Sequence, residues 1–234
     1  MAVNKQTTGF AAFAQKMRSE DLPEVVIQTF EHYYRQLRSG ESGLIPESEI
    51  APLESIPDAE SLPKSLAIVG EAAMPRTVVL KLNGGLGTGM GLEKAKSLLV
   101  IRDDYTFLDI IARQNQVGNV PLLLMNSYST REDSLRVMEK YRDSTATGSI
   151  PMDFVQHKVP KVNRADLGPA RWPDDPTLEW CPPGHGDIYT ALLTSGMLET
   201  LLARGYKYLF VSNADNLGAV IDKSILGYFV DQHL

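Results

Sequence analysis

The run Thr77-Val78-Val79-Leu80-Lys81-Leu82 is apolar and β-branched, and it breaks without a spacer into Asn83-Gly84-Gly85-Leu86-Gly87-Thr88-Gly89-Met90-Gly91. A strand running straight into five glycines within eight residues is a narrow specification. Glycine loses more backbone freedom on folding than any other residue, so a cluster of them needs a reason. Main chain passing close to a ligand, with its N–H groups turned inward, supplies one. Such amide concavities bind anions, and the triphosphate of a nucleotide is the candidate. The plain alternative is a tight surface turn, but an ordinary turn needs only one or two glycines.

Two familiar nucleotide loops do not fit. The G-x-G-x-x-G fingerprint fails in each register, ending on Met90 when started at Gly85 and on Leu92 when started at Gly87. The P-loop fails because no Gly-Lys-Ser/Thr follows at the required spacing. Beyond the loop stand Lys94, Lys96 and Ser97. A lysine just past an amide cradle can neutralise charge that develops as a phosphoryl bond breaks. Lys96, beside the apolar run 98–101, is the candidate; Lys94 reads as a solvated surface residue.

The rest of the chain alternates strand-like and helix-like stretches. Residues 23–39 place Val26, Phe30, Tyr33 and Leu37 on one helical face, with Pro23 suited to the first turn and Gly40 to the stop. Pro46, Pro52, Pro57 and Pro63 interrupt an acidic segment, residues 41–65, read as an ordered but irregular connection. Helical patterns over 106–116 and 131–141 precede strand patterns at 121–125 and 152–155. After a proline-rich loop, a single helix is predicted over 188–204, with Ala191, Ser195, Leu198 and Leu202 on one side. Gly205 ends it ahead of a strand at 208–211, and Asp222 could cap a last helix with Ile225, Leu226, Phe229 and Val230. This alternation predicts an α/β fold with a mainly parallel sheet covered on both faces. Ligands of such sheets lie beyond the carboxyl ends of the strands. We divide the chain into 1–65, a helical segment and irregular linker packing on the core, and 66–234, a nucleotide-binding catalytic domain.

Composition narrows the function. A net charge of −6 argues against a general nucleic-acid binder, which displays excess Lys and Arg. The lone Cys181 forms no internal disulfide and no zinc pattern, and reads as a reduced cytoplasmic thiol. No apolar stretch approaches the roughly 20 residues of a membrane helix, and residues 1–20 lack a signal-peptide core, so a soluble cytoplasmic protein is expected.

Four segments together carry a resemblance. The stretch 82–97 resembles the loop signature of the UDP-sugar pyrophosphorylase family. Trp180-Cys181-Pro182-Pro183-Gly184-His185-Gly186-Asp187 resembles its Pro-Pro-Gly-His-Gly-Asp motif. Ser212-Asn213-Ala214-Asp215-Asn216-Leu217-Gly218-Ala219 resembles its Ser-Asn-x-Asp-Asn-Leu-Gly-Ala motif. Phe154-Val155-Gln156, followed by Pro160 and Lys161, also fits. Asn83 and Gly89 look like the glucose-1-phosphate branch; the N-acetylglucosamine branch has Ala and Arg there. Ala95 departs from the family's proline before the lysine, and Cys181 stands where tyrosine is common.

The resemblance implies a Rossmann-like nucleotidyltransferase (GT-A-like) α/β/α sandwich with a mixed, mainly parallel sheet, incomplete at its C-terminus. It implies uridylyl transfer: UTP and glucose 1-phosphate give UDP-glucose and pyrophosphate with Mg2+, and neither nucleic acid nor membrane takes part. Leu82, Gly84 and Gly85 would meet the uridine, with Asn83, Gly87, Thr88 and Lys96 completing the nucleotide site. Gln156 would pair with the uracil edge, and Gly184 would continue that platform. His185 and Asn213 would hold the sugar phosphate, and Asp215 the metal. His185 and Lys96 are the catalytic candidates. Asp187, Asn216 and Asp222 read equally as turn or helix caps. The family's second catalytic lysine and C-terminal β-helical domain would lie outside these residues, so a truncated chain of little or no turnover is expected. A UDP-N-acetylglucosamine or other UDP-sugar pyrophosphorylase, or a non-catalytic nucleotide-binding module, is the alternative.

Overall fold

The computed structural model describes residues 8–86, 94–142 and 150–234. In chain order these form α1 (Thr8–Arg18), α2 (Glu24–Ser39), α3 (Lys64–Ala73), β1 (Thr77–Asn83), β2 (Val100–Arg102), β3 (Tyr105–Thr106), α4 (Phe107–Gly118), β4 (Leu122–Asn126) and α5 (Arg131–Met138). Then follow β5 (Asp153–Val155), β6 (Val159–Pro160), β7 (Trp180–Cys181), α6 (Ile188–Thr194), α7 (Met197–Ala203), β8 (Tyr208–Asn213) and α8 (Lys223–Asp231). They divide into two compact units, Met1–Glu54 with His157–Thr190, and Ser55–Gln156 with Ala191–Leu234.

In the first unit, Phe13 and Met17 of α1 are fully buried at helical spacing. They meet a stripe of α2 that differs from the expected face. Val26, Ile27 and Tyr34 are buried, whereas Tyr33 and Leu37 lie outward. The aromatic ring of Tyr34 decides the rotation: it packs 4.9 Å from the Phe13 ring, and its hydroxyl donates to the Leu167 carbonyl at 2.9 Å. Pro23 stands at the N-cap of α2, and Gly40 ends the helix at φ 84°, where only glycine turns without strain. Trp180, in the antiparallel β6–β7 pair, completes this core.

The second unit is built on a sheet of order β5-β4-β1-β8, parallel throughout. Successive residues of β1 and β4 are buried, so the two inner strands are covered on both faces. On one face Val79, Leu122 and Leu124 pack with Leu108, Ile111 and Ala112 of α4 and with Met138. Thr106 and Asp109 form a reciprocal capping box that starts α4. Separately, α3 and α8 cross closely through Gly70 and Gly227: a Cβ on either would collide with a carbonyl of the opposite helix, Lys223 or Leu66 respectively.

The helix expected over 188–204 is two helices. Gly196 adopts φ 72°, a left-handed conformation that no continuing helix accommodates, and the chain restarts at Met197. Rotation at this break buries Met197 and Leu201 and leaves Leu202 exposed. The Asp222 cap is present, its carboxylate accepting from the Ser224 and Ile225 amides. Among the described residues no helix is long and apolar enough to cross a membrane.

Candidate nucleotide site

β1 is central in the sheet, and its carboxyl end carries Leu82, Asn83, Gly84 and Gly85. The chain leaves there and returns at a narrow neck. Leu86 and Ala95 pair as an antiparallel bridge, and the Lys96 amide donates to the Gly85 carbonyl at 3.2 Å. Gly87 and Thr88, with the rest of 87–93, lie outside the described residues. Ala95 sits at φ −56°, the value a proline would impose, so the missing ring leaves the turn into Lys96 intact. The half-buried Lys96 ammonium makes no ion pair among the described residues, while Lys94 is exposed.

The Asn83 side chain is buried and engaged inside the protein. Its amide donates to Asn126 Oδ1 at 2.7 Å and to Ser134 Oγ at 2.8 Å, and its oxygen accepts from Ser97 Oγ at 2.5 Å. Asn126 in turn donates to Asp153, which accepts from Arg131. This network ties the end of β1 to the turn bearing Lys96, to β4, to β5 and to α5.

Gln156 follows β5 and is only 5% exposed. Its main-chain N–H donates to the Asn126 carbonyl at 2.8 Å. Its carboxamide lies against Gly84, filling the space that a Cβ would need. That carboxamide has no hydrogen-bond partner among the described residues. Buried polar groups are nearly always paired, so a carboxamide unpaired among the described residues is a candidate to meet a ligand.

Leu82 is in register with Asn213, the last residue of β8. Beyond it the chain turns tightly: the Ala214 amide donates to the Leu82 carbonyl at 3.1 Å, and the Asn216 amide to the Asn213 carbonyl at 3.2 Å. Asn213 and Asp215 are exposed, and the Asp215 carboxylate has no partner among the described residues. The described residues hold no group of three or more His, Cys, Asp and Glu arranged for a metal. A single hard carboxylate beyond a strand end suits magnesium, which usually takes one or two carboxylates and completes its shell with phosphate and water. The donor set therefore fits.

Gly184 and His185 belong to the other unit. Gly184 adopts φ 103°, and His185 opens an exposed 3-10 turn leading into α6. Asp187 pairs with His157. Its carboxylate accepts the His157 amide at 2.6 Å and lies 2.9 Å from His157 Nδ1, bracing the loop from within the same unit.

Two arrangements escaped the sequence reading. One is the His157–Asp187 pair, since a histidine after a strand end carries no pattern. The other is Lys81. Inside β1 it is 1% exposed, and its Nζ donates to Ser212 Oγ at 2.8 Å and to the Ala219 carbonyl at 3.0 Å. Burial pushes its pKa down. A charged residue in the middle of an apolar strand was the available signal.

A model of the UTP–glucose-1-phosphate uridylyltransferase family matches residues 27–234. A potato (Solanum tuberosum) protein named UTP–glucose-1-phosphate uridylyltransferase is 40% identical over 194 residues, 80% of this chain and 38% of that protein. A Schizosaccharomyces pombe protein, named a probable enzyme of the same kind, is 45% identical over 163 residues, 67% of this chain and 32% of that one. A Leishmania major UDP-glucose pyrophosphorylase structure superposes with a TM-score of 0.85 at 39% identity, covering 98% of this chain and 48% of that one. A Trypanosoma brucei structure described as UDP-glucose phosphorylase gives 0.84 at 41% identity, covering 97% of this chain and 48% of that one. The chain thus spans less than half the length of each of these relatives.

Proposed function

The chain belongs to the UTP–glucose-1-phosphate uridylyltransferase family, and from that premise we propose that it carries the nucleotide-binding half of an enzyme making UDP-glucose and pyrophosphate from UTP and glucose 1-phosphate. The observation that carries this reading is the buried carboxamide of Gln156 against Gly84, unpaired among the described residues. A carboxamide offers one acceptor and one donor side by side, the complement of the N3–H and carbonyl edge of uracil. Adenine presents a different donor and acceptor pattern. Leu82, Gly84 and Gly85 form the main-chain platform for the base, at the end of β1.

Transfer needs no protein nucleophile. An oxygen of the glucose 1-phosphate phosphate attacks the α-phosphorus of UTP. The bond from that phosphorus to the bridging oxygen breaks, and pyrophosphate leaves with the electron pair. Both substrates are polyanions, so the protein's task is to hold them in line and offset their charge. Lys96, whose ammonium is unpaired among the described residues, offsets charge on the α-phosphate. Asn213 holds the sugar phosphate, and Asp215 supplies the carboxylate for Mg2+. When bound, that ion shields phosphate charge. On this reading the enzyme works in the cytoplasm.

Calorimetry in the presence of magnesium tests the base assignment. UTP binding is expected to exceed ATP binding, and Gln156→Ala is expected to weaken UTP binding about tenfold or more, with ATP little changed. Equal affinity of the native protein for the two nucleotides would overturn the reading.

A further inference from the structure

The turn that carries Asp215 is held at both of its ends by one side chain. Lys81 of β1 faces Ser212 in register, and its ammonium bridges the Ser212 hydroxyl at 2.8 Å and the Ala219 carbonyl at 3.0 Å. These two residues are the first and last of the Ser-Asn-Ala-Asp-Asn-Leu-Gly-Ala segment. A third clasp holds its middle, where Gln114 Nε2 donates to the Leu217 carbonyl at 3.1 Å. Asp215 stands exposed between these tethers.

Packing does not account for a lysine here. Its neighbours in β1 are the buried Leu80 and the half-buried Leu82, both apolar, and no carboxylate pairs with it among the described residues. An ammonium buried without a counter-charge is costly, and an apolar side chain of similar volume is usually tolerated at least as well. What an apolar residue cannot do is donate to both ends of a turn at once. A small cavity of about 110 Å³ is lined in part by Lys81, Gln114, Asn115 and Ala219. The tether is therefore a directed contact and not a consequence of tight filling.

We infer that Lys81 is a positioning residue that sets the Ser212–Ala219 turn, and through it presents the Asp215 carboxylate to the divalent cation accompanying the nucleotide phosphates. The inference rests on the reading of Asp215 given above. Lys81 itself touches neither nucleotide nor metal.

The test separates metal from nucleotide. Manganese serves as the probe, its binding followed by electron paramagnetic resonance with UTP present, while UTP binding without metal is measured in chelator. Lys81→Met keeps the apolar stem and removes the cation. It is expected to weaken Mn2+ binding about tenfold, as loss of a residue supporting a metal ligand commonly does, while metal-free UTP affinity stays within about twofold. Amide exchange of residues 213–219 is expected to quicken in the same variant. Ser212→Ala, which removes one of the two tether points, is expected to give a smaller loss in the same direction, and it stands in should Lys81→Met fail to fold. Unchanged Mn2+ affinity in the folded variants overturns the inference. A parallel loss of metal-free UTP binding does so too, because that is what a merely destabilised fold produces. Failure of UTP selectivity in the native protein sinks the functional reading itself; selectivity retained with Mn2+ binding indifferent to Lys81 and Ser212 sinks this inference alone.

Discussion

Replacing Asn83 by alanine tests whether the polar network beneath the glycine loop holds the site together. The substitution deletes three hydrogen bonds, to Asn126, to Ser134 and from Ser97, and all three partners are at most 1% exposed. A buried polar group left unsatisfied costs about 1–3 kcal/mol. The losses are unequal. Ser134 still donates to the Thr130 carbonyl, and Asn126 still donates to Asp153. The Ser97 hydroxyl loses its acceptor outright. The sum is about 3 kcal/mol, which for a domain of this size lowers the melting temperature by roughly 6–12 °C. Far-ultraviolet circular dichroism during thermal and urea unfolding measures it. The sign of one coupling is diagnostic. Adding Ser97→Ala to Asn83→Ala removes the orphaned hydroxyl, so the double variant is expected to be more stable than the sum of the two single losses, by about 1 kcal/mol. A loss below about 1 kcal/mol for Asn83→Ala, or strict additivity with Ser97→Ala, would refute the network as described.

Two further tests concern the scaffold. Burial alone would raise the Asp109 pKa, but hydrogen bonds from Lys140, from the Thr106 amide and hydroxyl, and from Tyr141 outweigh it and hold the carboxyl at about 2. A carboxyl depressed in the fold stabilises above its unfolded value and loses that contribution as pH falls through its folded value. Asp109→Asn is therefore expected to cost about 1–2 kcal/mol at neutral pH, discounted for the exposed Lys140, and the gap in urea midpoint should close between about pH 4 and pH 2; a gap constant to pH 2 would contradict the assignment. Gly227→Ala inverts the usual expectation for a helix. Propensity alone favours alanine by about 1 kcal/mol, whereas collision with the Leu66 carbonyl predicts a net loss of about 2–3 kcal/mol, and a melting temperature that rises would dispose of the close crossing.

Much of the fold was readable because its elements announce themselves locally. The β-branched run ending in glycine became β1, and the strands at 122–126, 153–155 and 208–213 fall where apolar runs stand. What could not be read depended on distant partners. The stripe of α2 rotates because Tyr34 finds Phe13 and Leu167, and the broken helix after Ile188 turns on a single glycine dihedral. Two helices went unread: α1, whose Phe13 and Met17 spacing lay in plain view, and α3, where Gly70 dilutes the pattern. Site residues showed the same division. The family resemblance singled out Gln156 and Asp215, and the place beyond the glycine loop singled out Lys96, but not that Gln156 is unpaired among the described residues, that Asn83 turns inward, or that Lys81 spans a turn 131 and 138 positions away. Such facts belong to through-space pairing, which a linear string does not encode.

The interleaving of the two units bears on how the polypeptide matures. The first unit needs residues up to 54 and then 157–190, and the second needs 55–156 and then 191 onward. During synthesis neither can finish while the ribosome is still making the other's middle portion. β1 waits for β8, more than a hundred residues downstream, before its second edge is closed. No single cut yields either unit whole as a continuous peptide. Proteolysis after residue 156 would leave both with unmatched halves.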